Sequence, residues 1–170
     1  MKLLILGAGG YGRTVADVAE QLGKFERIAF LDDTKSGPGF LGKCEEYAMF
    51  CDENTAIYPA FGDNAIRMYW VERLMNEGIP VPTLVHPAAY VSPKASLGIG
   101  TVVLPMAVVN TGARVGNGCI VNIGALADHD TVLENGTHPA PGAIVKAGNR
   151  IPAGSKVNSG EVVENGQYPL

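Results

Sequence analysis

The sequence has few cysteines, no run of basic residues and no long apolar segment. Its 170 residues include three cysteines, Cys44, Cys51 and Cys119, an odd number without metal-ligand spacing, which argues against a disulfide framework. A net charge of −4 argues against nucleic acid or an anionic membrane as the main partner. No apolar run approaches the roughly 20 residues that span a bilayer, and no signal peptide precedes the first predicted strand. We therefore expect a packed cytoplasmic protein.

The first 84 residues alternate between short apolar runs and helical patterns. KLLIL (2–6) and RIAFLDD (27–33) are predicted as buried parallel strands, and AIYPAFGDN (56–64) as a strand and a turn. The first predicted helix ends at Gly23, and its apolar face contains Val15, Val18, Ala19 and Leu22. The second is capped by Asp63 or Asn64, ends at Gly78, and aligns Ile66, Trp70 and Leu74. Residues 34–55 are expected to be mostly loop, and residues 1–84 to form a short Rossmann-like α/β domain.

From residue 85 the period of the sequence changes to six. With position one at 85, 91 and so on to 163, twelve of fourteen such positions are Val, Leu or Ile, and Ala127 and Pro139 are the exceptions. The fourth position is Gly in ten hexads, and the fifth is Ala, Thr, Ser or Cys in eleven. This pattern is typical of hexapeptide repeats, with three hexads in each triangular coil. Residues 85–170 are therefore predicted to form a left-handed parallel β-helix of between four and five coils.

The repeat breaks in the hexad A-D-H-D-T-V, which begins at residue 127. Asp130 replaces the usual glycine, and His129 stands between two acids. A solvated turn would explain this, but a broken rule inside a consistent pattern also marks a functional site. We predict His129 as a general base whose pKa is raised by Asp128 or Asp130. Ala147, one coil further on and about 5 Å away by strand spacing, would offer its N–H to an oxyanion.

Three histidines raise the alternative of a zinc site. His129 and His138 are nine residues apart, which is half a coil, so they are expected on different sides of one triangle. His86 lies several coils away. Two subunits could still bring histidines together, but we expect no metal site.

A glycine-rich loop follows the first predicted strand. Gly7, Gly9 and Gly12 fit G-x-G-x-x-G before a helix, where the backbone can approach a diphosphate. Asp32 ends the second strand, where an acid commonly accepts a hydrogen bond from a ribose hydroxyl, and Lys35 is near enough in sequence to add charge for the phosphates. Because about 84 residues leave little room for a nicotinamide half, we expect a nucleotide diphosphate bearing another group, such as a UDP-sugar.

Several segments occur in an order typical of one family: GAGGYGRTVADVAE, FLDD, GDNAIR, HPAAYVSPKASLGIGTVV, NIGALADHD and THPAPGA. Over roughly residues 2 to 150 the chain resembles the sugar O-/N-acetyltransferase family, which includes sialic-acid O-acetyltransferases and UDP-4-amino-sugar N-acetyltransferases. The resemblance implies a homotrimer with active sites between adjacent β-helices. It also implies a nucleotide sugar on the N-terminal domain and acetyl-CoA along the coils.

The resemblance assigns roles to particular residues. His129 matches the base of the family, and the polar residues that match its surroundings are Asp128, Asp130 and Asn122. The acetyl-CoA side is matched by His138 and Gly142 of the H-x-A-P-G-A stretch, with Ala147 beyond them. The predicted substrate-binding residues are Gly7, Gly9, Gly10, Tyr11, Gly12, Asp32, Asp33, Lys35, Gly62 and Asp63.

The chain departs from the family pattern at two places. Tyr11 stands where the glycine loop of the family has a histidine, so the contact with the sugar is expected to differ. The sequence also stops at Leu170, where family chains continue through further coils that help to hold CoA. Weaker CoA binding, or loss of activity, is expected from the second departure.

These features predict an enzyme that moves acetyl from acetyl-CoA to an amino group of a nucleotide-activated sugar. Three alternatives stay open: O-acetylation of sialic acid or a related sugar, a non-catalytic nucleotide-sugar-binding trimer, and an NAD(P)-dependent oxidoreductase. Ligands that bind only the folded state raise its stability. Stabilisation by both acetyl-CoA and a UDP-amino-sugar would therefore favour the enzyme.

Overall fold

Two units, Met1–Pro82 and Thr83–Leu170, make up the computed structural model, which describes residues 1–170. The change of sequence period lies two residues further along, between residues 84 and 85. No helix in the chain has the length and apolar character needed to cross a membrane.

The first unit is built around a parallel four-stranded sheet in the order β3-β2-β1-β4. Its elements are β1 (Lys2–Leu6), α1 (Gly10–Leu22), β2 (Arg27–Leu31), β3 (Phe40–Gly42), a 3-10 helix (Cys44–Phe50), β4 (Thr55–Pro59) and α2 (Asn64–Asn76). Strand β1 pairs with β2 and β4 and is buried, as its continuous apolar run predicts. Helix α1 ends at Gly23 with φ of +62°, also as predicted. The predicted Rossmann-like domain is confirmed.

The prediction of mostly loop for residues 34–55 is wrong in part. Strand β3 and the 3-10 helix form there because tertiary packing stabilises them. The ring of Phe40 stacks on Phe30 with centroids 5.8 Å apart, and buried Tyr47 meets Trp70 edge-on at the same distance. Elements of three and seven residues are too short to show a period in the sequence.

Helix α2 buries a different stripe from the one predicted. Trp70 and Leu74 are buried as predicted, but Ile66 is 49% exposed. Arg67 and Val71 are fully buried in its place. An arginine is not counted in an apolar pattern, so the helical period could not reveal that this side chain points inward.

The second unit is a parallel β-helix whose two-residue strands form three faces. The first face contains β5 (Leu84–Val85), β8 (Val102–Val103), β11 (Ile120–Val121), β14 (His138–Pro139) and β17 (Lys156–Val157). The second contains β6 (Tyr90–Val91), β9 (Val108–Val109), β12 (Leu126–Ala127), β15 (Ile144–Val145) and β18 (Val162–Val163). The third contains β7 (Ser96–Leu97), β10 (Arg114–Val115), β13 (Val132–Leu133) and β16 (Arg150–Ile151). Pairs such as Tyr90 with Val108 are 18 residues apart, and the predicted left-handed hexapeptide β-helix is confirmed.

We name the turns between faces by the face that they follow. Residues 86–89, 104–107, 122–125, 140–143 and 158–161 form the first corner, and residues 92–95, 110–113, 128–131, 146–149 and 164–167 form the second. The second face therefore lies between these two corners. Position one of the hexads points inward and forms a continuous core with the small residues of position five.

Pro139, one of the two exceptions to the hexad pattern, interrupts the ladder of the first face. The N–H groups of Ile120 and Asn122 still donate to Thr137 O at 3.0 Å and Pro139 O at 3.1 Å. Proline has no N–H to return to the strand before it, so the sheet divides between β11 and β14. The interruption lies beside two predicted site residues, Asn122 and His138.

The outward side of the second face is apolar along its length. It presents Tyr90, Val108, Leu126, Ile144 and Val162, of which the first and last are 55% and 39% exposed. The corresponding positions of the third face are Ser96, Arg114, Val132 and Arg150. The second face is thus the more apolar of the two.

Candidate active site

His129 lies at the second corner and is paired with the next residue in the chain. Its Nδ1 is 2.9 Å from Oδ2 of Asp130, and the two side chains are 53% and 68% exposed. The hydrogen bond to Asp130 raises the pKa of His129, and the charges of Asp128 and Asp130 add to the effect. With Nδ1 donating to the carboxylate, the neutral ring has its lone pair on Nε2. This is the arrangement that a general base requires.

Asp130 reaches the imidazole from a left-handed backbone conformation. Its φ is +59°, at a hexad position where the coils before and after have Gly112 and Gly148, with φ of +72° and +67°. Aspartate is among the few residues that visit this region, at a cost of about 1 kcal/mol. A Cβ on Gly112 would lie 2.3 Å from Oδ1 of Asp130. In the position that it takes here, the carboxylate leaves room only for glycine in the coil below it.

Asp128 holds the backbone of the corner. Its Oδ1 accepts a hydrogen bond from the His129 N–H at 2.7 Å and another from Nδ2 of Asn110 at 3.0 Å. The His129 N–H, followed by the Asn110 amide, lowers the pKa of Asp128 against the effect of partial burial. The N–H of Ala147, one coil further on, also lowers it. Asp128 thus links three successive coils, and the role predicted for Ala147 as an oxyanion donor stays a prediction.

Asn122, at the first corner, and His138, on β14 of the first face, form a separate pair. Nδ2 of Asn122 is 2.9 Å from Nε2 of His138, and Oδ1 of Asn122 accepts the N–H of Ile123 at 2.8 Å. Gly142, with φ of +68°, lies one coil further along the same first corner. Within one chain the fold brings Asn122 to His138, and His129 to its two flanking acids, but it keeps the two groups at different corners.

The glycines of the loop in the first unit have two kinds of surroundings. Gly7 and Gly12 are crowded by other atoms, whereas Gly9 and Gly10 are exposed. Gly7 has φ of +91°, and a Cβ on Gly12 would lie 2.0 Å from the Gly7 carbonyl oxygen. Gly9 and Gly10 are exposed, and no atom lies within 4 Å of the position that a Cβ would take. Helix α1 begins at Gly10 without a side-chain cap or an acid in its first turn. Its first N–H groups are therefore suited to a diphosphate.

Asp32 and Lys35 both contact the peptide groups of Ala8. Oδ2 of Asp32 accepts the Ala8 N–H at 2.7 Å, and Nζ of Lys35 donates to the Ala8 carbonyl oxygen. Oδ1 of Asp32 accepts the Thr34 N–H, the Thr34 hydroxyl and the Lys35 N–H at 2.8 to 2.9 Å. Burial acts to raise the pKa of Asp32, but these hydrogen bonds outweigh it and lower the pKa to about 2.

A cavity of about 420 Å³ opens beside this turn, between residues 32–37, strand β3 and the start of the 3-10 helix. Its lining includes Asp33, Ser36, Phe40, Lys43 and Glu46, together with Asp32 and Lys35. Asp33 is exposed, and its Oδ1 accepts the Cys44 N–H at 3.0 Å. Another cavity, of about 340 Å³, opens on the third face, and no predicted site residue lines it. No group of three or more His, Cys, Asp or Glu side chains is placed to hold a metal ion.

The remaining predicted residues of the first unit shape its loops. The hydroxyl of Tyr11 is 2.9 Å from the hydroxyl of Tyr58, a fully buried residue on β4. Asp63 caps α2, because its Oδ1 accepts the Ile66 N–H at 2.9 Å. Gly62 lies in the turn just before this cap.

Buried Arg67 organises the same turn and was missed by the sequence reasoning. Its Nη1 donates to the carbonyl oxygen of Phe61 at 3.0 Å, and more weakly to that of Gly62 at 3.5 Å. Its Nη2 donates to Oδ1 of Asn64 at 2.8 Å. The sequence feature that could have indicated this role is the position of Arg67 as the last residue of the GDNAIR segment. Asn110 was missed too, although its distance of 18 residues from Asp128 is one coil.

Comparison with known proteins agrees with this architecture. The family model of the PglD N-terminal domain matches residues 2–74. The acetyltransferase domain of PglB from Neisseria gonorrhoeae FA1090 is 38% identical with a TM-score of 0.91, over 95% of this chain and 81% of that chain. The same domain in complex with acetyl coenzyme A gives 39% identity and a TM-score of 0.90, over 95% of this chain and 80% of that chain.

A more distant likeness extends to PerB from Caulobacter crescentus, solved in complex with CoA and GDP-perosamine. It is 22% identical with a TM-score of 0.70, over 96% of this chain and 92% of that chain, and at this identity it shows the fold. The resemblance inferred from the sequence motifs is confirmed by the PglB match. The chain therefore belongs to the family of β-helix sugar acetyltransferases that includes the acetyltransferase domain of PglB.

Proposed function

We propose that this protein transfers the acetyl group of acetyl-CoA to an amino group of a nucleotide-activated sugar, with His129 as the general base. The observation that carries the proposal is the 2.9 Å contact between Nδ1 of His129 and Oδ2 of Asp130. It leaves Nε2 as the basic atom and fixes the tautomer. The acetyl coenzyme A complex of the PglB domain and the GDP-perosamine complex of PerB support this donor and this class of acceptor.

The proposed reaction needs one base and no covalent acyl-enzyme. Nε2 of His129 takes a proton from the amine as its nitrogen attacks the thioester carbonyl. Asp130 then stabilises the imidazolium. The tetrahedral intermediate expels CoA thiolate, which accepts the proton from His129, so the products are the N-acetylated sugar and CoA. General-base help of this kind contributes about 10²- to 10⁴-fold, and the N–H of Ala147 would stabilise the oxyanion on turning away from Asp128.

A homotrimer with shared active sites is part of the proposal. The apolar outward side of the second face supports contact with another copy. His129 lies at one edge of that face, and Asn122 lies at the other, with His138 beside it on the first face. In a cyclic assembly one edge of each chain meets the opposite edge of the next. His129 would then act beside the Asn122–His138 pair of a neighbouring copy, with that pair on the acetyl-CoA side.

The first unit would hold the nucleotide. The open N–H groups at Gly9 and Gly10 favour a diphosphate, and the cavity beside Asp33 has room for a nucleoside. UDP is the nucleotide that we propose. A reducing, cytoplasmic location belongs to the same proposal, because all three cysteines are free thiols.

A thiol-release assay with acetyl-CoA tests this function. The acceptors would be UDP-4-amino-sugars, a GDP-amino-sugar, unmodified UDP-sugars and sialic acid. We expect release with amino sugars, strongest with a UDP-4-amino-sugar, and a loss of at least about a hundredfold in kcat for His129→Ala with unchanged circular dichroism. Release with sialic acid alone would favour O-acetylation. Thermal stabilisation by UDP without any thiol release would favour a non-catalytic binding protein.

A further inference from the structure

We infer that Asp32 is a positioning residue, which builds the glycine loop and does not bind the ribose of the nucleotide. The sequence pattern alone predicts the opposite, since an acid at the end of the second strand commonly accepts from a ribose hydroxyl. The inference rests on the proposed function only in taking a nucleoside diphosphate as the ligand. Its structural basis lies in the first unit alone.

The carboxylate of Asp32 is committed to its own turn and to the glycine loop. Its two oxygens accept four hydrogen bonds, from the Ala8 N–H, the Thr34 N–H, the Thr34 hydroxyl and the Lys35 N–H, all 2.7 to 2.9 Å long. Three of them end on Oδ1, which leaves that oxygen no lone pair for a ribose, and Oδ2 is turned to the Ala8 N–H. A ribose hydroxyl would have to compete with the Ala8 N–H for Oδ2, at the cost of weakening the bond that holds the loop.

The bonds of Asp32 fix the loop that would meet the diphosphate. Ala8 is 3% exposed, and its N–H and carbonyl oxygen are held by Asp32 and Lys35, two side chains of opposite charge from the same turn. Gly9 and Gly10 follow directly, and no side chain stands over the positions that their Cβ atoms would take. Helix α1 holds one end of this segment, since the Gly9 carbonyl oxygen accepts the Arg13 N–H at 3.1 Å. The clamp on Ala8 fixes the other end, so the N–H groups between them are oriented before any ligand arrives. Such preorganisation lowers the entropy that a ligand must remove on binding.

Replacement by asparagine separates the two roles. The side chain introduced by Asp32→Asn keeps one acceptor oxygen and replaces the other by an NH₂ donor. In one orientation of the amide, its NH₂ group faces the Ala8 N–H. In the other, it faces the N–H groups of Thr34 and Lys35, so in both cases two donors oppose each other. The loop therefore loosens, and affinity for the diphosphate falls whatever the sugar of the nucleoside. If Asp32 bound the ribose instead, the loss would depend on the hydroxyl that it contacts.

The test is a cycle of two proteins and two nucleotides. Calorimetric titration would measure UDP and 2′-deoxy-UDP binding to the wild type and to Asp32→Asn, with Asp17→Asn as the matched control. Asp17 is exposed on α1 and bonds only to Gln21. We expect Asp32→Asn to weaken both nucleotides by the same factor, at least about tenfold. A variant that weakens UDP but binds 2′-deoxy-UDP like the wild type would overturn the inference.

A ligand-free measurement completes the test. Amide exchange followed by NMR should show Ala8 exchanging at least about tenfold faster in Asp32→Asn than in the wild type, with no change in Asp17→Asn. Unchanged exchange at Ala8 would overturn the positioning role. If neither nucleotide binds the wild type, the proposed function fails and the exchange result still decides the role of Asp32. Should Asp32→Asn not fold, Asp32→Glu keeps the charge, shifts the carboxylate and is expected to weaken both nucleotides equally.

Discussion

Nδ1 of His129 lies 2.9 Å from Oδ2 of Asp130, and Asp130 makes this contact from a backbone φ of +59°. The pair is formed by adjacent residues at a corner of the β-helix, so no distant segment is needed to assemble it. A left-handed residue other than glycine at a solvent-exposed corner is destabilising by itself. In the proposed mechanism, the contact with the imidazole gives that conformation a function.

Replacing Asp130 by asparagine should shift the pH dependence of the reaction. The hydrogen bond and the charge of Asp130 raise the pKa of His129 above its ordinary value of 6.5. A base must be deprotonated, so kcat/KM of the wild type is lost as pH falls through this raised pKa. Asparagine tolerates the same backbone conformation but removes the charge, so the acidic limb should move to lower pH and kcat should fall. Profiles of kcat/KM against pH, with Asp17→Asn as control, would measure the shift, and an unmoved limb would contradict this assignment.

The raised pKa has a second consequence, for stability. A folded pKa above the unfolded value means that the pair stabilises the folded chain most fully below pH 6.5. That contribution is lost as pH rises through the folded pKa. The same pair therefore stabilises the fold best where the base is protonated and inactive.

Two glycines of the same corner should respond differently to alanine. Gly112→Ala puts a Cβ 2.3 Å from Oδ1 of Asp130, whereas Gly148→Ala meets no atom within 4 Å. Both glycines have positive φ, so both variants should lose about 1 kcal/mol of unfolding free energy. Only Gly112→Ala should also lose activity, because it displaces the Asp130 carboxylate. Urea unfolding and the thiol-release assay would measure both effects. Equal behaviour of the two variants would argue against the role of this carboxylate.

Contacts between residues that are close in sequence could be predicted for this site. Contacts between distant residues could be predicted only where the hexapeptide period fixes which positions stack on one another. The hexad pattern predicts the coils, and the missing glycine at Asp130 marks the corner of His129. The link between Asn110 and Asp128 follows from the same period, since stacked positions differ by 18 residues. The burial of Arg67 and the bond from the Ala8 N–H to Asp32 could not be predicted in this way. An arginine is not counted in an apolar pattern, and Ala8 and Asp32 lie in loops 24 residues apart that no repeat relates.

A charge on the apolar second face should separate the subunits of the proposed trimer. Leu126 lies at the centre of the outward column of that face, so Leu126→Glu would bury a carboxylate between copies. We expect monomers by sedimentation velocity, and loss of acetyl transfer with them. Ser96→Glu, at the equivalent outward position of the third face, is the control and should stay a trimer with full activity. A wild-type chain that sediments as a monomer at assay concentrations would contradict the proposed assembly.

Mixing two inactive variants should restore activity if each site is shared between copies. His129→Ala removes the base at the second corner, and Asn122→Ala removes its predicted partner group at the first corner. In trimers reassembled from equal amounts of the two chains, an interface is intact when a chain with His129 meets a chain with Asn122. Random assembly makes about a quarter of the interfaces intact, so about a quarter of the wild-type activity should return. Unmixed variants carried through the same unfolding and refolding are the controls. Activity that stays at the level of these controls would mean that each site lies within one chain.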